Sequence, residues 1–595
     1  MRLVSWSISL GVLVIPALSV ATTSIELSDL AVVTGATEGT LATTGLAQIG
    51  DVNGDGYEDV ALGAPDAGDE SQGAVYILYG QADRIDQVVF ADLPTLVGEE
   101  AGDQLGSVVA GLGDINADSY DDFALTSQYH DTGENNPGTV YLIYGQATAY
   151  TNQTVASRPR WYGADNNDHA GVSLAGVGDI NSDSYDDWAV GATWHDDRSG
   201  GIYVLYGQAT AFTGTQQLSD QPFFSGSDDF DYAGSAIAAG DVTGDGVSDI
   251  VVSAPRYDGT ERDVGTVYTI PGRTTAYNST NLDTFTSVSG ATKRERIGTS
   301  LAVGDVTGDN VNDIIVGVPY SDTAGDNAGV VYVNSTATTI TGGTTGDLFG
   351  KSLAWLGDVT GDGANDLLIG APSELDPQAG FGWLHSTLAD YQLAGEVVGD
   401  LAGAVVAGAD LNGDGQTELL IAAPHYDGNR GRLYIGYWPI YTCANSVELG
   451  GLLADYPSTD YKLRNYAANS HFKIAVERRG QQAFLINCNA NRIEQTLTFN
   501  TRTQRKILAR VFRARGANLF IAVTRTPSKR KIKIFLYQQT ESALVETDYL
   551  KRKWRPRGFR IKLNHHNKVV LQKGQERKHR LRYRVRLDLT LNPLD

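Results

Sequence analysis

Cysteine, methionine and proline are scarce in this 595-residue chain, which has two Cys, one Met and 17 Pro. Two cysteines cannot form the framework of a cystine-rich miniprotein, and 42% hydrophobic with 20% charged residues excludes a disordered or collagenous chain. The sequence also has no H-E-x-x-H and no G-x-S-x-G, the motifs of zinc proteases and serine hydrolases. We therefore expect a folded protein that is not an enzyme.

Basic residues are rare in positions 1–440, which hold 14 Lys and Arg against 60 Asp and Glu, a net charge of −46. Positions 441–595 hold 32 Lys and Arg against 11 Asp and Glu, a net charge of +21. Glycine falls from 62 residues to 6 across the same boundary. We predict a signal peptide over 1–21, one domain over 22–440 and a second domain over 441–595.

Long hydrophobic runs are confined to the N-terminus. There, Arg2 precedes an apolar stretch that ends in the small residues Ser19 and Ala21, a pattern typical of a secretory signal peptide. The alternative is a membrane anchor, but Pro16 and the short apolar core disfavour it. No later stretch reaches the roughly 18–20 apolar residues that span a bilayer. We predict a secreted or cell-surface protein, and in a eukaryotic host N-glycosylation sequons would lie at Asn152, Asn278 and Asn334.

Glycine is abundant, with 68 residues, and much of it lies in a repeat. The repeated motif D-x-[NT]-x-D-x-x-x-[DE] precedes an apolar segment and begins at Asp51, Asp114, Asp179, Asp241, Asp305, Asp358 and Asp410. Successive starts are 63, 65, 62, 64, 53 and 52 residues apart. This spacing suits a propeller blade of four short strands better than a helical repeat of roughly 34–47 residues. We predict an all-β, seven-bladed β-propeller.

The strands of one unit follow from its apolar segments. In the second unit, residues 106–113 form a small-residue strand suited to a crowded axis, and residues 122–127 and 138–145 form the next two. A less regular segment, residues 160–163, would supply the fourth. Residues 24–34, ahead of the first repeat, are predicted to complete the last blade and close the ring, because closure removes the bare sheet edges.

The loop between the first and second strands carries the candidate metal ligands. Oxygen side chains at loop positions 1, 3, 5 and 9 and the carbonyl at position 7 suit Ca²⁺, and Gly at position 6 permits the sharp turn. Three carboxylates about 5 Å apart repel by about 3 kcal/mol per pair at an effective dielectric of 20, which a dication would relieve. The alternative is an Asx-turn hairpin without metal. Ser119 and Ser184 stand at position 6 of the second and third loops, which should therefore bind more weakly.

We predict up to seven Ca²⁺ ions, one in each loop. The candidate ligands are Asp51, Asn53, Asp55, Tyr57, Asp59, Asp114, Asn116, Asp118, Tyr120, Asp122, Asp179, Asn181, Asp183, Tyr185, Asp187, Asp241, Thr243, Asp245, Val247, Asp249, Asp305, Thr307, Asp309, Val311, Asp313, Asp358, Thr360, Asp362, Ala364, Asp366, Asp410, Asn412, Asp414, Gln416 and Glu418.

The repeats resemble FG-GAP repeats, the unit of the integrin α-subunit β-propeller. The resemblance rests on DLFGKSLAWLGDVTGDGANDLLIGAP from Asp347, on its six relatives and on the G-x-V-Y strand that follows most of them. It implies a seven-bladed propeller with Ca²⁺ in hairpin loops on one face and ligand contacts on the other. The function it implies is an adhesion or recognition scaffold for an extracellular protein or glycan. Glycosylphosphatidylinositol-specific phospholipase D also carries such repeats, so the alternative is the propeller module of a secreted hydrolase.

The rim opposite the calcium loops is the predicted ligand surface, because its loops repeatedly place an aromatic residue beside a polar one. The candidate ligand-binding residues are Tyr129, Trp194, Arg256, Tyr257, Tyr320 and Tyr426. Aromatic and Arg side chains are the usual anchors of a binding surface. The alternative is that these aromatic rings pack between neighbouring blades.

In the basic part, 441–595, polar and apolar residues alternate with a period of two at 473–476, 483–487, 531–537, 559–563 and 580–591. This pattern predicts a β-rich domain, and we expect a β-sandwich. Cys443 and Cys488 are expected to pair in a secreted chain. The runs 529–533 and 551–560 would contact an acidic polymer, lipid headgroups or the acidic propeller, or would form a solvated strand face. A segment translated in another frame is a further alternative. We do not expect nucleic-acid binding, because no recognised fold signature is present.

Overall fold

The computed structural model describes residues 23–35 and 45–438, except 69, 86, 131–136, 166–167, 335–337, 375–377 and 388–389, together with ten strands between 461 and 573. The chain forms two compact units, Met1–Leu27 with Ala31–Ile435, and Ser28–Leu30 with Gly436–Asp595. The predicted signal peptide, Cys443, Cys488 and the alternating segment 580–591 lie outside the described residues.

The first unit is built of short strands. Its strands up to residue 162 are β1 (Thr23–Glu26), β2 (Ala31–Thr34), β3 (Gly45–Gly50), β4 (Asp59–Ala64), β5 (Ala74–Leu78), β6 (Gln87–Val89), β7 (Thr95–Val97), β8 (Val109–Gly113), β9 (Asp122–Ser127), β10 (Thr139–Ile143), β11 (Gln153–Thr154) and β12 (Arg160–Tyr162). They continue with β13 (Ala170–Gly178), β14 (Asp187–Ala192), β15 (Gly201–Leu205), β16 (Thr215–Gln217), β17 (Phe223–Ser225), β18 (Ile237–Gly240), β19 (Asp249–Ala254), β20 (Thr266–Ile270), β21 (Thr280–Asn281) and β22 (Thr286–Ser289). The last are β23 (Ser300–Gly304), β24 (Asp313–Val318), β25 (Val330–Val333), β26 (Thr338–Ile340), β27 (Ser352–Gly357), β28 (Asp366–Ala371), β29 (Phe381–His385), β30 (Tyr391–Ala394), β31 (Val406–Ala409), β32 (Glu418–Ala423) and β33 (Arg432–Gly436). Two four-residue helical turns, α1 (His195–Arg198) and α2 (Tyr426–Asn429), complete the list.

These strands form seven antiparallel sheets, the blades of a β-propeller. Blade 1 is β3-β4-β5-β7, blade 2 is β8-β9-β10-β12, blade 3 is β13-β14-β15-β17, blade 4 is β18-β19-β20-β22, blade 5 is β23-β24-β25-β26, blade 6 is β27-β28-β29-β30 and blade 7 is β31-β32-β33-β2. The innermost strands contact one another in this order, and β31 contacts β3. The predicted seven-bladed propeller is confirmed.

Ring closure uses the start of the chain. Strand β2 lies antiparallel to β33 as the outermost strand of blade 7, with Val33 opposite Leu433. The fourth strand predicted at 160–163 is also present, because β12 pairs antiparallel with β10. Strand β2 precedes blade 1 in the chain, so its hydrogen bonds to β33 join the last blade to the first.

Residue size explains the position of each strand in a blade. After the acidic first residue, the second strands are mostly apolar and buried, as in Asp59–Ala64 and Asp187–Ala192, because neighbouring blades cover both faces. The innermost strands are rich in Gly and Ala, as in Val109–Gly113, since bulky side chains do not fit near the axis. Large rings fill the wider space between blades, and Trp161 packs edge to face on Trp188 with ring centroids 5.0 Å apart.

Five blades carry a fifth strand that the sequence analysis did not predict. A short segment adds in parallel to the outer edge of a neighbouring blade: β1 on β30, β6 on β2, β11 on β7, β16 on β12 and β21 on β17. In the described part of the chain, β22 of blade 4 and β26 of blade 5 end their sheets with no such partner. The two short repeat spacings, 53 and 52 residues, belong to the two repeats that lack this segment.

The second unit also consists of strands. They are β34 (Tyr461–Asn465), β35 (Phe472–Glu477), β36 (Gln482–Asn487), β37 (Arg492–Thr498), β38 (Ile507–Ala514), β39 (Ala517–Thr526), β40 (Lys531–Gln539), β41 (Leu544–Lys553), β42 (Phe559–Leu563) and β43 (Val569–Lys573). They form three antiparallel sheets, β34 to β37, β38 to β41 and β42 with β43. The alternating segments at 473–476, 483–487, 531–537 and 559–563 lie in β35, β36, β40 and β42. A sandwich arrangement stays a prediction.

Candidate metal and ligand sites

The seven Asp-rich loops connect the first and second strands of the blades, and the carboxylate at position 1 organises each of them. In the first loop the Asp51 carboxylate accepts hydrogen bonds from the backbone N–H groups of Asp55 at 3.0 Å and Gly56 at 2.7 Å. The Asp55 carboxylate accepts one from the N–H of Tyr57 at 3.1 Å. The same bonds to position 1 recur at Asp114, Asp179, Asp241, Asp305, Asp358 and Asp410. Every loop therefore curls around its first carboxylate.

Two positions of each loop adopt a left-handed backbone. Position 6 has φ of 90° at Gly56 and Gly363, 74° at Ser119 and 77° at Ser184. Position 4 is also left-handed, with φ of 71° at Gly54. An L-residue with a side chain is disfavoured in this region by about 1–2 kcal/mol. The Ser residues at position 6 therefore strain the second and third loops, as the sequence pattern suggested.

Position 9 holds the buried carboxylate of each loop. Asp59 is completely buried, and it accepts hydrogen bonds from the N–H groups of Val52 at 3.2 Å and Gly80 at 2.9 Å. Burial, reinforced by repulsion from Asp55 and Asp51, raises its pKa to about 8. The pKa values at position 9 of other loops are raised for the same reason, to about 8 for Asp122, about 7 for Asp187 and about 8 for Glu418. None of the seven loops contains Lys or Arg, and the charge of Arg84, from outside the loops, opposes the rise in the pKa of Glu418.

The seventh loop fits a metal ion best in its side-chain geometry. One carboxylate oxygen each from Asp410, Asp414 and Glu418 lies within 4.8 Å of the other two. Ligand oxygens about 2.3–2.6 Å from a Ca²⁺ ion are separated from one another by no more than about 5 Å. These three groups at positions 1, 5 and 9 are therefore close enough together to share one hard divalent cation.

Position 8 links neighbouring loops, and sequence reasoning missed it. The Asp121 carboxylate accepts from the N–H of Asp51 in the preceding loop at 2.7 Å, and Glu58 accepts from the N–H of Asp410 at 2.6 Å. Asp186 contacts the N–H of Asp114 at 3.1 Å in the same way. Because position 8 points at the preceding blade, the pattern within a single repeat could not reveal this contact.

On the opposite rim, the predicted ligand-binding residues fall into two groups. Tyr129 and Trp194 are 42% and 38% exposed, and both contact the ring of His169. His169 stacks on Trp194 at 4.4 Å with an interplanar angle of 4°, and the guanidinium of Arg198 lies 4.3 Å from the Trp194 ring centroid. Phe230, 54% exposed, lies next to Arg198. This aromatic row spans loops of blades 2, 3 and 4.

The other predicted residues also have partners within the chain, and Tyr257, Tyr320 and Tyr426 are less exposed than Tyr129 and Trp194. Arg256 lies over the ring of Tyr232 at 4.6 Å, and Arg432 lies over Tyr426 at 3.5 Å. The ring of Tyr320 is flanked by Arg296 at 5.3 Å and Lys351 at 5.9 Å, and the ring of Tyr257 packs on the apolar cluster between blades 3 and 4. These contacts favour a packing role for Tyr257, Tyr320 and Tyr426, the alternative stated for them above.

An acidic pocket adjoins the exposed aromatic row. Asp165, Asp168, Trp194, Asp196, Asp197, Arg198 and Phe230 line an open pocket of about 360 Å³. His195 Nδ1 lies 3.1 Å from the buried Asp168 carboxylate and 3.8 Å from that of Asp165. The hydrogen bond to Asp168 raises the pKa of His195. Asp168 lies 27 residues before His195, so the sequence alone does not indicate this pairing.

Comparison with known proteins gives the family of these blades. The FG-GAP repeat model matches residues 46–78, 105–143, 233–270, 297–334, 349–385 and 402–435, which lie in six of the seven blades. Homo sapiens integrin alpha-6 is 32% identical over 145 residues, which are 24% of this chain and 12% of that protein. Gallus gallus integrin alpha-V is 26% identical over 231 residues (35% and 21%), and Xenopus laevis integrin alpha-5 is 29% identical over 218 residues (34% and 20%).

The fold and the repeated loops define the class, a seven-bladed β-propeller with an acidic hairpin in every blade. Six of the repeats match the FG-GAP model, so the chain carries an FG-GAP propeller that is similar to those of integrin α subunits. The chain spans about a fifth or less of the length of the integrin subunits it matches. These matches indicate no catalytic family. Among the described residues, no helix is long and apolar enough to cross a membrane.

Proposed function

We propose that this chain is a calcium-binding adhesion or recognition scaffold, secreted or held at a cell surface, that binds an extracellular protein or glycan. The observation that carries the proposal is the repeated loop, in which a buried carboxylate with a raised pKa faces the carboxylates of positions 1 and 5. Kinship with integrin α propellers supports the recognition role.

Calcium is the cation that the ligand chemistry favours. All side-chain donors in the loops are oxygens, and position 7 adds a backbone carbonyl, a set that suits hard cations rather than Zn²⁺ or Cu²⁺. Asp51, Asp55 and Asp59 would hold the ion in the first loop, and Asp410, Asp414 and Glu418 in the seventh. Each ion would neutralise the carboxylates that now repel one another, so calcium stabilises the folded ring by mass action.

The proposed ligand surface lies on the other rim, at the loops of blades 2 to 4. Tyr129, Trp194 and Phe230 expose apolar ring surface there, and rigid aromatic side chains lose little conformational entropy on binding. The adjoining pocket contains four carboxylates, those of Asp165, Asp168, Asp196 and Asp197. A partner that presents a cationic or hydroxyl-rich group beside an apolar one would match this surface.

A binding array tests the proposal. The purified chain, saturated with calcium, is applied to arrays of matrix proteins and glycans, and every hit is measured again with the double variant Tyr129→Ala/Trp194→Ala. We expect at least a tenfold loss of affinity. Tyr320→Ala is the matched control on the same rim, where the ring already has cationic partners. If the double variant folds and binds as well as the wild type, the ligand site is elsewhere.

A further inference from the structure

The outer edges of the blades show a regular pattern of strand addition. Each of the five added segments is a strand of two to four residues followed by a 3-10 turn. The first residue of each turn is apolar and at most 1% exposed: Leu27, Phe90, Val155, Leu218 and Leu282. The strand thus supplies backbone hydrogen bonds to the edge, and the following apolar residue anchors it between two blades.

The outer edge of blade 4 is ready for such a segment and has none among the described residues. Strand β22 ends its sheet, and its four residues, Thr286–Ser289, are all exposed. Val288 exposes 36% of its surface. The sequence explains why this edge has no added strand. The segment β21, which pairs with blade 3, lies among the 15 residues between β20 and β22 of blade 4. Only four residues separate β25 from β26 in blade 5, too few for a corresponding segment that would pair with blade 4.

The anchor position is open too. A cavity of about 40 Å³ lies between blades 4 and 5, lined by Val267, Thr269, Thr286, Ser287, Val288, Ile297, Ile314, Val316 and Tyr332. One water-sized group needs about 10–15 Å³ on this measure, so the cavity takes about three such groups, the scale of an aliphatic side chain. Its lining is almost entirely apolar, which suits a hydrocarbon group.

This cavity matches the place that Leu282 fills one blade earlier. Leu282 packs between blades 3 and 4 in an apolar cluster that contains Ile202, Val204, Phe224, Ile250, Val252 and Tyr268. By position in the repeat, these residues correspond to Val267, Thr269, Val288, Ile314, Val316 and Tyr332, all of which line the cavity. The blade 4 edge therefore has the same binding groove as the covered edges, with its anchor missing.

The next gap, between blades 5 and 6, is filled differently. Trp383 stands where blades 4 and 5 have Tyr268 and Tyr332, and it packs on Phe349 with ring centroids 5.8 Å apart. The larger ring takes up the space that an added anchor would use, and Trp383 belongs to a buried cluster with Ile340 of β26. The combination of a bare edge and an open anchor pocket therefore points to blade 4.

We propose that the edge of blade 4 binds an extended segment of a partner protein, which adds in parallel to β22 and inserts an apolar side chain into the cavity between blades 4 and 5. The chain's own added segments, TSIE, QVV, QT, TQQ and TN, define the chemistry of the partner: a short strand rich in Thr, Gln, Asn and Val, then Leu, Phe or Val. This interaction is distinct from the proposed calcium loops and from the aromatic rim, because it uses a strand edge on the side of the ring.

A peptide taken from the chain itself is the probe. The full-length protein in calcium is titrated into a fluorescein-labelled peptide of residues 213–221, TGTQQLSDQ, and binding is followed by fluorescence polarisation. We expect saturable binding, and at least tenfold weaker binding of the same peptide with Leu218→Asp. Hydrogen exchange should slow at residues 286–289 when the peptide is bound.

Variants locate the site. Val288→Asp charges the exposed edge, and Tyr332→Trp fills the cavity as Trp383 does in the next gap; each should weaken binding at least tenfold. Val398→Asp, at a Val that is 63% exposed elsewhere, is the matched control and should bind normally. No saturable binding, equal affinity for both peptides, or unchanged affinity in Val288→Asp and Tyr332→Trp proteins of wild-type melting temperature would each overturn the proposal. Dimerisation that Val288→Asp abolishes, without peptide binding, would replace the partner segment by a second copy of the chain.

Discussion

At the scale of single residues, the carboxylate at position 9 is the group on which each loop depends. It is buried at the end of a strand, it holds two backbone N–H groups, and its charge is opposed by the carboxylates of positions 5 and 1. Because the pKa of Asp59 in the folded chain is about 8 and that of a free Asp is about 4, the metal-free protein takes up protons on folding.

This uptake predicts the pH dependence of stability without metal. Between about pH 4 and pH 8 the folded state binds more protons than the unfolded state, so stability falls as pH rises. In chelator, the melting temperature at pH 5.5 should exceed that at pH 8 by several degrees. In excess calcium the carboxylates stay ionised in the folded state, and this decrease should disappear. Asp59→Asn should reduce the dependence in chelator; a melting temperature that rises with pH in chelator would contradict the account.

Backbone strain at position 6 gives a second residue-scale prediction. Ser119 and Ser184 have φ of 74° and 77°, which Gly adopts without steric cost. Ser119→Gly and Ser184→Gly should each raise the free energy of unfolding by up to about 1 kcal/mol, measured by thermal unfolding in calcium. Gly363→Ser is the matched reverse change. No atom lies within 4 Å of a Cβ placed at Gly363, so the only cost of the side chain is the left-handed backbone, with φ of 90°. We expect the Ser→Gly changes to raise the free energy of unfolding and Gly363→Ser to lower it. Changes of the same sign would exclude backbone strain as the cause.

At the scale of elements, the loops are connected in series around the ring. Asp121 accepts from the backbone of the preceding loop, and a Cβ on Gly50 would lie 2.1 Å from the same carboxylate, so the contact is close as well as polar. A hydrogen bond to a charged group contributes about 1.5–3 kcal/mol to the free energy of unfolding. For Asp121 this contribution is reduced by burial of the carboxylate and by repulsion from Asp51.

We expect Asp121→Ala to destabilise the propeller by about 1–2 kcal/mol and to speed hydrogen exchange in residues 50–56. Ser248→Ala, the same position in blade 4, is the control, since Ser248 carries no charge and its effect should stay below about 0.5 kcal/mol. Equal effects of the two substitutions would show that position 8 does not couple the loops.

The elements also show what a sequence can and cannot predict. Local patterns predicted β9 at 122–127 and β10 within 138–145, together with the Asp-rich loops, because apolar runs and Asp spacing act within one repeat. The parallel strand β16, the position-8 contact of Asp121 and the pairing of His195 with Asp168 were missed. Each of these depends on which residues of a distant segment or neighbouring blade come close, and no spacing within one repeat encodes that.

At the scale of the whole molecule, two devices hold the ring. Strand β2 closes it by hydrogen bonding to β33, and the added strands tie five blades to their neighbours. Among the described residues, no added strand ties blade 4 to blade 5 or blade 5 to blade 6, so the ring has one distinct sector. Calcium would act at the Asp-rich loops on one rim of the ring, by neutralising carboxylates in every loop. Positions 1–440 of the chain carry a net charge of −46.

Calcium binding to the folded ring is the central claim, and calorimetry tests it most directly. The full chain is melted once in chelator and once after calcium has been added back. The metal bound to the protein is counted by elemental analysis. We predict several calcium ions per chain, at most seven, a lower melting temperature in chelator, and full recovery with calcium. In the same experiment Asp358→Ala should lower the melting temperature more than Asp114→Ala, because Gly363 leaves its loop unstrained and Ser119 does not. Identical transitions with and without chelator, and no bound calcium, would contradict the account.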